Sequence, residues 1–443
     1  MFYSNYIYLL NSSFACGEST SEESTSTDIN YIDDEETQFK NLPDSFFNIP
    51  AKSYPLVITF HKFLMMLDGT LSNSYFGRFL DLRKFSNCQK QSSRSVMLQM
   101  IIKTKEVNYE RFSSSYWPHF NSQLTKNLDP SRVFTEIISY IKGGLQSMET
   151  SDGKLNCEDY VQLLERRASS LSKQNRDIIY DIFQMYEKMK RKNGEYDLAD
   201  FVNDLHFRLR HERWEGDVMD FVYIDEVQDL TMSQLALFKC ICSNVEEGFV
   251  FSGDTAQTIA RGIDFRFQDI RNLFYEKFLS KSRSNGNDER KGKGQVSEIF
   301  QLTQNFRTHA GILKLSQSII ELIYRFFPNS VDILKPETSL IYGEAPVLLE
   351  SGNNENAIVK IFGNSGTVSG NIVGFGAEQV ILVRDDNARK EISNYVGKQA
   401  LLLTILECKG LEFQVNAKFY FPGSEICSFP YSFKCFLILL EYC

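Results

Sequence analysis

The sequence lacks the features that are typical of membrane-spanning proteins, of secreted proteins and of proteins with cysteine-based metal sites. No apolar run reaches the roughly 18 residues of a membrane-spanning helix. The first 39 residues contain no Lys or Arg, so a secretory signal peptide would lack its basic region. Nine cysteines are scattered along the chain without a CxxC pair. This usage favours reduced thiols in an intracellular protein, nuclear or cytoplasmic, with no membrane partner.

The composition is that of a globular protein of several domains. A length of 443 residues predicts two to four domains, and a hydrophobic content of 42% supplies sizeable cores. The formal net charge of −9 argues against a globally basic nucleic-acid binder. It leaves room for a local basic groove.

Residues 221–262 organise the chain, because they predict two buried strands joined by a helix. The strands are the apolar runs Phe221–Ile224 and Gly248–Phe251, and the first is typical of a strand buried on both faces. The polar residues that follow them are Asp225, Glu226, Gly253, Asp254 and Gln257. Carboxylates at the carboxyl ends of parallel strands lie where open α/β sheets bind ligands.

These polar residues suit a site for Mg²⁺ and a triphosphate. Magnesium on a nucleotide keeps several waters and takes only one or two carboxylates from the protein. We predict that Asp225 holds the metal, that Glu226 orients the attacking water and that Gln257 senses the terminal phosphate. The alternative is a solvated turn, which is the commoner origin of an isolated Asp-Glu pair.

A second candidate site lies near the start of the chain. Pro55–Leu67 begins as a strand and turns helical, with Thr59, Phe60 and His61 at the junction. A hydroxyl, an aromatic ring and an imidazole at a strand end suit a sugar-phosphate and a base. The alternative is an ordinary strand end. The basic residues of 83–105 suit a nucleic-acid channel or, alternatively, a solvated face.

The second half of the chain offers a candidate arginine. A predicted strand at Glu298–Leu302 is followed by Gln304, Phe306 and Arg307, and a helix is predicted from about Ala310 to Phe327. An Arg at a strand end near a phosphate suits an arginine finger. A surface salt bridge is the alternative.

Two further apolar runs, Val380–Val383 and Ala400–Ile405, predict strands. The second leads to Lys409, Gly410 and Glu412. Gly410 would let the backbone approach a ligand closely, and the Glu412 side chain would be a further polar contact for the same ligand.

Five short segments, in this order along the chain, resemble the motifs of the UvrD/Rep-type superfamily 1 helicases. They are TFH at 59–61, DEVQD at 225–229, GDTAQ at 253–257, QNFR at 304–307 and KGLEF at 409–413. The resemblance covers residues 54–415. Within that family of P-loop NTPases, the chain is similar to the UvrD-like domain of large eukaryotic proteins that also carry TPR and ankyrin repeats.

The resemblance implies an α/β fold with RecA-like parallel-sheet domains, incomplete at both ends, and a mostly helical insertion. The segments expected on this basis are a partly disordered acidic N-terminal segment at 1–53, a first RecA-like domain at 54–90 and 197–279, a helical insertion at 91–196, a flexible linker at 280–296, a truncated second RecA-like domain at 297–415 and an irregular tail at 416–443.

The resemblance also implies ATP with Mg²⁺ between the two domains and single-stranded DNA or RNA across both. The implied catalytic residues are Asp225 as the magnesium ligand, Glu226 on water, and Gln257 with Arg307 on the γ-phosphate. The implied nucleotide-binding residues are Asp254, Gln304, Phe306 on the adenine, Gly410 and Glu412. The implied nucleic-acid-binding residues are Thr59, Phe60, His61 and Lys409.

The sequence departs from the family at the loop that binds the nucleotide phosphates. No GxxxxGK[ST] loop occurs, because the Gly-Lys pairs at 153–154, 292–293 and 397–398 continue without Ser or Thr. Leu406 stands where the family carries a His, and the last motif with its second arginine is missing. We therefore expect a truncated helicase with impaired ATP hydrolysis. The alternatives are a non-enzymatic remnant that binds only nucleic acid or a protein, and a scaffold built on the helical stretch 107–205.

Overall fold

The computed structural model contains two compact units, residues 2–298 and residues 299–443. The structure describes residues 6–10, 43–79, 101–166, 171–279, 296–306, 308–328, 331–343, 347–350, 380–384, 386–396, 401–405, 407–409, 417–420 and 436–439. The structure does not describe residues 1–5 and 11–42 of the expected acidic N-terminal segment, residues 83–100 of the basic stretch or residues 280–295 of the predicted linker.

The first unit is built on a four-stranded sheet of order β2-β1-β3-β4. Its strands are β1 (Tyr6–Leu10), β2 (Leu56–Thr59), β3 (Phe221–Ile224) and β4 (Phe249–Phe251). β3 and β4 pair in parallel, as the two apolar runs predicted. β1 pairs antiparallel with both β2 and β3, so this sheet is mixed.

The strand β1 lies in the N-terminal segment 1–53, which was expected to be partly disordered, and no strand was predicted at this position. The segment YIYLL is apolar at every position, and its residues Ile7 and Leu9 are fully buried between two other strands. An apolar strand with partners on both edges satisfies its backbone groups and buries its side chains together. The acidic composition of the residues that follow concealed this short strand from a reading of the sequence.

One face of the sheet carries the core and the other is largely open. The side chains that alternate towards the core are Ile7, Leu9, Leu56, Ile58, Val222 and Ile224, each at most 1% exposed. On the opposite face, Tyr8 is 40% exposed and Val250 is 52% exposed. The prediction that Phe221–Ile224 is buried on both faces is therefore wrong, because successive side chains of a strand point to opposite faces, only one face is covered here, and Phe221 is 36% exposed.

Helices supply most of the remaining described structure of the first unit. They are α1 (Phe60–Thr70), α2 (Tyr109–Arg111), α3 (Ser122–Thr125), α4 (Pro130–Thr135), α5 (Cys157–Arg166), α6 (Lys173–Asn193), α7 (Leu198–His211), α8 (Met232–Ala236) and α9 (Phe267–Leu273). Three of them continue as π-helical segments, at Phe112–Tyr116, Glu136–Lys142 and Phe274–Leu279. No helix among the described residues has the length and apolarity to cross a membrane.

The helices between Val107 and Ala199 contribute to a second core, separate from that of the sheet. In α6, the residues Ile179, Ile182 and Tyr186 recur at helical spacing and are fully buried. α6 ends at Gly194, whose φ of 61° is the left-handed conformation that glycine adopts without steric cost. Asp197 begins α7 with a capping box.

The second unit contains a five-stranded sheet of order β7-β11-β10-β8-β9 and a separate two-stranded pair, β5-β6. The strands are β5 (Gln304–Asn305), β6 (Thr338–Ser339), β7 (Val347–Glu350), β8 (Val380–Val383), β9 (Leu401–Thr404), β10 (Ala417–Tyr420) and β11 (Phe436–Leu439). The helices are α10 (Ala310–Phe326) and α11 (Asp386–Val396). β8, β9 and α10 confirm the elements predicted at those positions.

Two predictions for this unit are wrong. No strand forms at Glu298–Leu302, where Phe300 is 87% exposed and Leu302 is 94% exposed. An apolar run without a partner strand leaves its backbone groups unpaired, so it stays irregular. The tail expected to be irregular supplies β10 and β11, which pair antiparallel with each other.

A buried ion cluster joins α6 and the π-helical segment Glu136–Lys142 to the start of α7. Lys142 Nζ is fully buried, 2.6 Å from carboxylate oxygens of Asp197 and Asp200 and 3.2 Å from Glu187, and Lys190 contacts the same three acids. The three carboxylates are close enough to share a metal ion. Two ammonium groups already lie among them, so the cluster is structural. Burial alone would lower the pKa of Lys142, but the carboxylates raise it well above its ordinary value.

We predict that Lys142→Met lowers the free energy of unfolding by about 3–5 kcal/mol, because it leaves buried carboxylates short of a counter-charge. Urea unfolding of the full chain measures this loss. The matched control is Lys188→Met, an exposed lysine of α6, for which the change should stay within roughly 0.5 kcal/mol. Equal losses for both variants would show that the cluster does not stabilise the fold.

The half-buried His206 connects α7 to the first turn of α8. His206 Nε2 lies 2.7 Å from the backbone carbonyl oxygen of Ser233, so this nitrogen carries the proton and donates it. Burial lowers the pKa of His206 from 6.5 to about 4, although the hydrogen bond opposes the shift. Below pH 6.5 the unfolded chain therefore binds a proton that the folded chain does not, and stability falls as the pH falls towards 4.

We predict that His206→Gln removes part of the acid sensitivity of the fold. Glutamine keeps a donor near the Nε2 position and does not titrate. Between pH 7 and pH 5 the variant should lose about 2 kcal/mol less unfolding free energy than the native chain. Urea unfolding at both pH values checks this, and identical losses would contradict the assignment of a neutral imidazole.

Candidate functional site

The candidate site lies where the parallel strands β3 and β4 end. Ile224 pairs with Phe251, so the residues that follow, Asp225 and Ser252, lie side by side. Ser252 donates its backbone N–H to the Ile224 carbonyl at 2.9 Å and its hydroxyl to Asp225 Oδ1 at 2.7 Å. The register of two short strands thus brings the two polar loops together.

Asp225 has one carboxylate oxygen held and one open. Oδ1 accepts from the Ser252 hydroxyl and from the backbone N–H of Glu226 at 3.0 Å. Within the part of the chain that the structure describes, no group donates to Oδ2. The side chain is exposed at the edge of the sheet. An oriented, exposed carboxylate oxygen is the kind of ligand that Mg²⁺ takes from a protein, so this residue fits the predicted metal.

Glu226 stands in a backbone conformation that residues other than glycine rarely adopt. Its φ is 53° and its ψ is 39°, in the left-handed region. Such a residue costs of order 1 kcal/mol and persists only where its surroundings hold it. A 3₁₀ turn at Val227–Asp229 follows directly, and the Gln228 side-chain amide donates to Glu226 Oε2.

Asp254 organises the second loop. Its Oδ1 accepts from the Ala256 N–H at 2.9 Å and caps the 3₁₀ turn Thr255–Gln257. Its Oδ2 accepts from Gln257 Nε2, also at 2.9 Å. The exposed Gln257 is therefore oriented by the neighbouring acid. Gln228 Oε1 accepts from the Asp254 N–H at 3.1 Å, which connects this loop to that of Glu226.

The structure therefore brings together Asp225, Glu226, Asp254 and Gln257, four residues that the sequence placed on neighbouring strand ends. It adds Ser252 and Gln228, to which sequence reasoning assigned no role. The signal for Gln228 was present, since it lies inside the DEVQD segment. Its partner across the strands was not visible without the register.

Of the residues predicted to contact nucleic acid near the start of the chain, Thr59 caps a helix and Phe60 packs in the core. Thr59 Oγ1 accepts from the Lys62 N–H at 3.2 Å and caps α1. Phe60 is 6% exposed and packs near Phe63 and Phe238, so its ring faces are largely covered by the core. Burial lowers the pKa of His61 to about 4, which keeps its ring neutral at pH 7.

The predicted residues of the second unit are only partly described. Gln304 lies in β5, where its Nε2 donates to the Thr338 carbonyl at 3.1 Å. Phe306 is 73% exposed, and Lys409 is half-buried in a turn after β9. The other predicted residues, Arg307, Gly410 and Glu412, lie outside the described residues, as does Leu406.

Known proteins match most of the first unit, and one alignment of 321 residues is longer than that unit. A relative, TPR and ankyrin repeat-containing protein 1 from Homo sapiens, is 35% identical over 321 residues, which is 72% of this chain. The chain spans 11% of the length of that relative. The family described as the UvrD/REP helicase N-terminal domain matches residues 32–280, which contain both acidic loops. With its site residues on the carboxyl edge of a mixed α/β sheet, the chain belongs to the UvrD/REP helicase family.

Proposed function

We propose that this chain acts in a UvrD/Rep-type, ATP-dependent helicase or translocase on single-stranded nucleic acid, with its two units in the role of RecA-like domains. The observation that supports this most is the joined pair of loops at the ends of β3 and β4. One loop presents Asp225 and Glu226, the other Asp254 and Gln257, and hydrogen bonds from Ser252 connect the first to β4.

The chemistry of phosphoryl transfer assigns a role to each of these groups. Mg²⁺ on a nucleotide neutralises charge that develops on the phosphates. Asp225 would hold this ion through the carboxylate oxygen that the protein leaves open. Glu226 would accept a proton from the attacking water and orient it. Gln257, oriented by Asp254, would donate to the terminal phosphate.

The remaining assignments rest on resemblance to the family. The residues proposed to contact the nucleotide are Gln304, Phe306, Arg307, Gly410 and Glu412. Those proposed to contact nucleic acid are Thr59, Phe60, His61 and Lys409. Of these nucleic-acid residues, Phe60 is the least accessible, so a base could stack on it only after local rearrangement.

The second candidate is a chain that binds nucleic acid or a protein without hydrolysing ATP. The observation that favours it is the absence of a GxxxxGK[ST] segment from all 443 residues. Such a loop gives backbone donors and a lysine to the phosphates, and its loss removes a large part of the stabilisation of the transition state. We expect slow hydrolysis by this chain on its own.

We predict that Asp225→Asn weakens Mg²⁺ binding at least tenfold, because an amide oxygen carries no charge to attract the ion. Titration calorimetry with Mg²⁺ and a non-hydrolysable ATP analogue measures this. The matched control is Glu247→Gln, an exposed acid at the opposite end of β4, which should leave the affinity unchanged. Similar weakening in both variants would indicate a nonspecific effect of net charge.

We predict that Glu226→Gln lowers the residual ATP turnover about 100-fold or more, as expected for loss of a general base. Phosphate release would be measured with and without a single-stranded oligonucleotide. Mg²⁺–nucleotide affinity should persist, because the metal is assigned to Asp225. Turnover that is the same in the native chain and the variant would exclude the proposed role of Glu226 and favour the second candidate.

A further inference from the structure

We propose that Gln228 is a positioning residue, which fixes the Glu226 carboxylate and couples it to the Gly253–Asp254 loop. This inference rests on the proposed function of Glu226. It adds a connection by which a movement of the Gly253–Asp254 loop would change the position of the Glu226 carboxylate, which is proposed to orient the attacking water.

The contacts of Gln228 use both ends of one amide. The NH₂ group donates to Glu226 Oε2, two residues earlier. The carbonyl oxygen accepts from the Asp254 N–H at 3.1 Å, across the strand pair. The side chain is fully buried, so neither bond competes with bulk water. An amide that donates and accepts at once links the two loops through a single rigid plane.

The neighbouring backbone leaves room for this amide only because residue 253 is glycine. A Cβ atom at Gly253 would overlap Gln228 Oε1 and lie 3.0 Å from a methyl carbon of Val227. The φ of Gly253 is not the reason for the glycine, since the positive-φ glycines of the described residues lie elsewhere. The space at Gly253 is taken by Gln228.

Glu226 needs a partner of this kind. Its left-handed backbone is held at some cost, and a carboxylate on a strained, half-buried residue has other rotamers open to it. The bond from Gln228 selects one rotamer. Because the same amide bonds Asp254, a shift of the loop that carries Asp254 and Gln257 moves the donor on Glu226 as well.

The substitution Gln228→Glu distinguishes positioning from mere packing. When the introduced carboxyl group is protonated, it keeps the shape of the amide, donates through its hydroxyl and accepts through its carbonyl. When it is ionised, it places a second negative charge against Glu226, which raises the pKa of the pair. The folded-state pKa is then above the unfolded one, so the variant is relatively stable at low pH and loses stability as the pH rises.

The first experiment compares urea unfolding of the full chain carrying Gln228→Glu with that of the native chain at pH 4.5, near the ordinary pKa of a glutamate, and at pH 7.5, where an ordinary carboxyl group is ionised. We expect a small deficit at the lower pH and a larger one at the higher pH. In the double variant Gln228→Glu with Glu226→Gln, this pH dependence should be smaller, because the repulsion between two carboxylates is gone and only the burial of one carboxylate remains. A deficit that is independent of pH, or a pH dependence that is equally large in the double variant, overturns the proposed contact.

The second experiment measures ATP turnover against pH. With positioning, Gln228→Glu moves the acid limb of the kcat profile to higher pH, while the KM for ATP stays within about twofold of the native value. The isosteric Gln228→Met should lower kcat at every pH without moving that limb. An unshifted limb in Gln228→Glu overturns the positioning role. Absence of turnover in the native chain overturns the proposed function, and the unfolding experiment then still tests the contact by itself.

Discussion

Parallel pairing of β3 with β4 is the constraint on which the candidate site depends. Each strand contributes only three or four residues, yet the register Ile224 with Phe251 sets Asp225 beside Ser252 and opposes the two loops that follow. Parallel strands have their carboxyl ends on one edge, so both loops must emerge together. Every hydrogen bond between the loops follows from that single alignment.

The surroundings of the strand pair stabilise β3 more than β4. On one face, the apolar side chains of four strands pack against helices in a continuous core. β1 contributes to this core as a central strand and pairs with β3 on the side away from β4. β3 is thus held on both edges, whereas β4 is held on one among the described residues. The loop that carries Asp254 and Gln257 therefore follows the less constrained strand.

Buried polar groups give this fold its specificity as well as its chemistry. The amide of Gln228 and the ammonium of Lys142 are both fully buried, and each has at least one partner from a distant part of the sequence, Asp254 for Gln228 and the acids of α6 and α7 for Lys142. Buried groups of this kind are costly when a partner is missing and favour one arrangement when all are present. Buried polar contacts of this kind orient Glu226 and also join α6 and the segment Glu136–Lys142 to α7.

Local patterns determined much of this protein. Short apolar runs predicted β3, β4, β8 and β9, the residues after Arg307 predicted α10, and acids directly after strands predicted the candidate metal-binding edge, because each of these signals lies within a few neighbouring residues. Only the tertiary structure decided that Tyr6–Leu10 is a central strand, that Phe60 is a core residue and that Gln228 bridges Glu226 and Asp254. These three features depend on which distant segments of the chain pack or pair with one another and in which register. Local sequence patterns do not specify that choice.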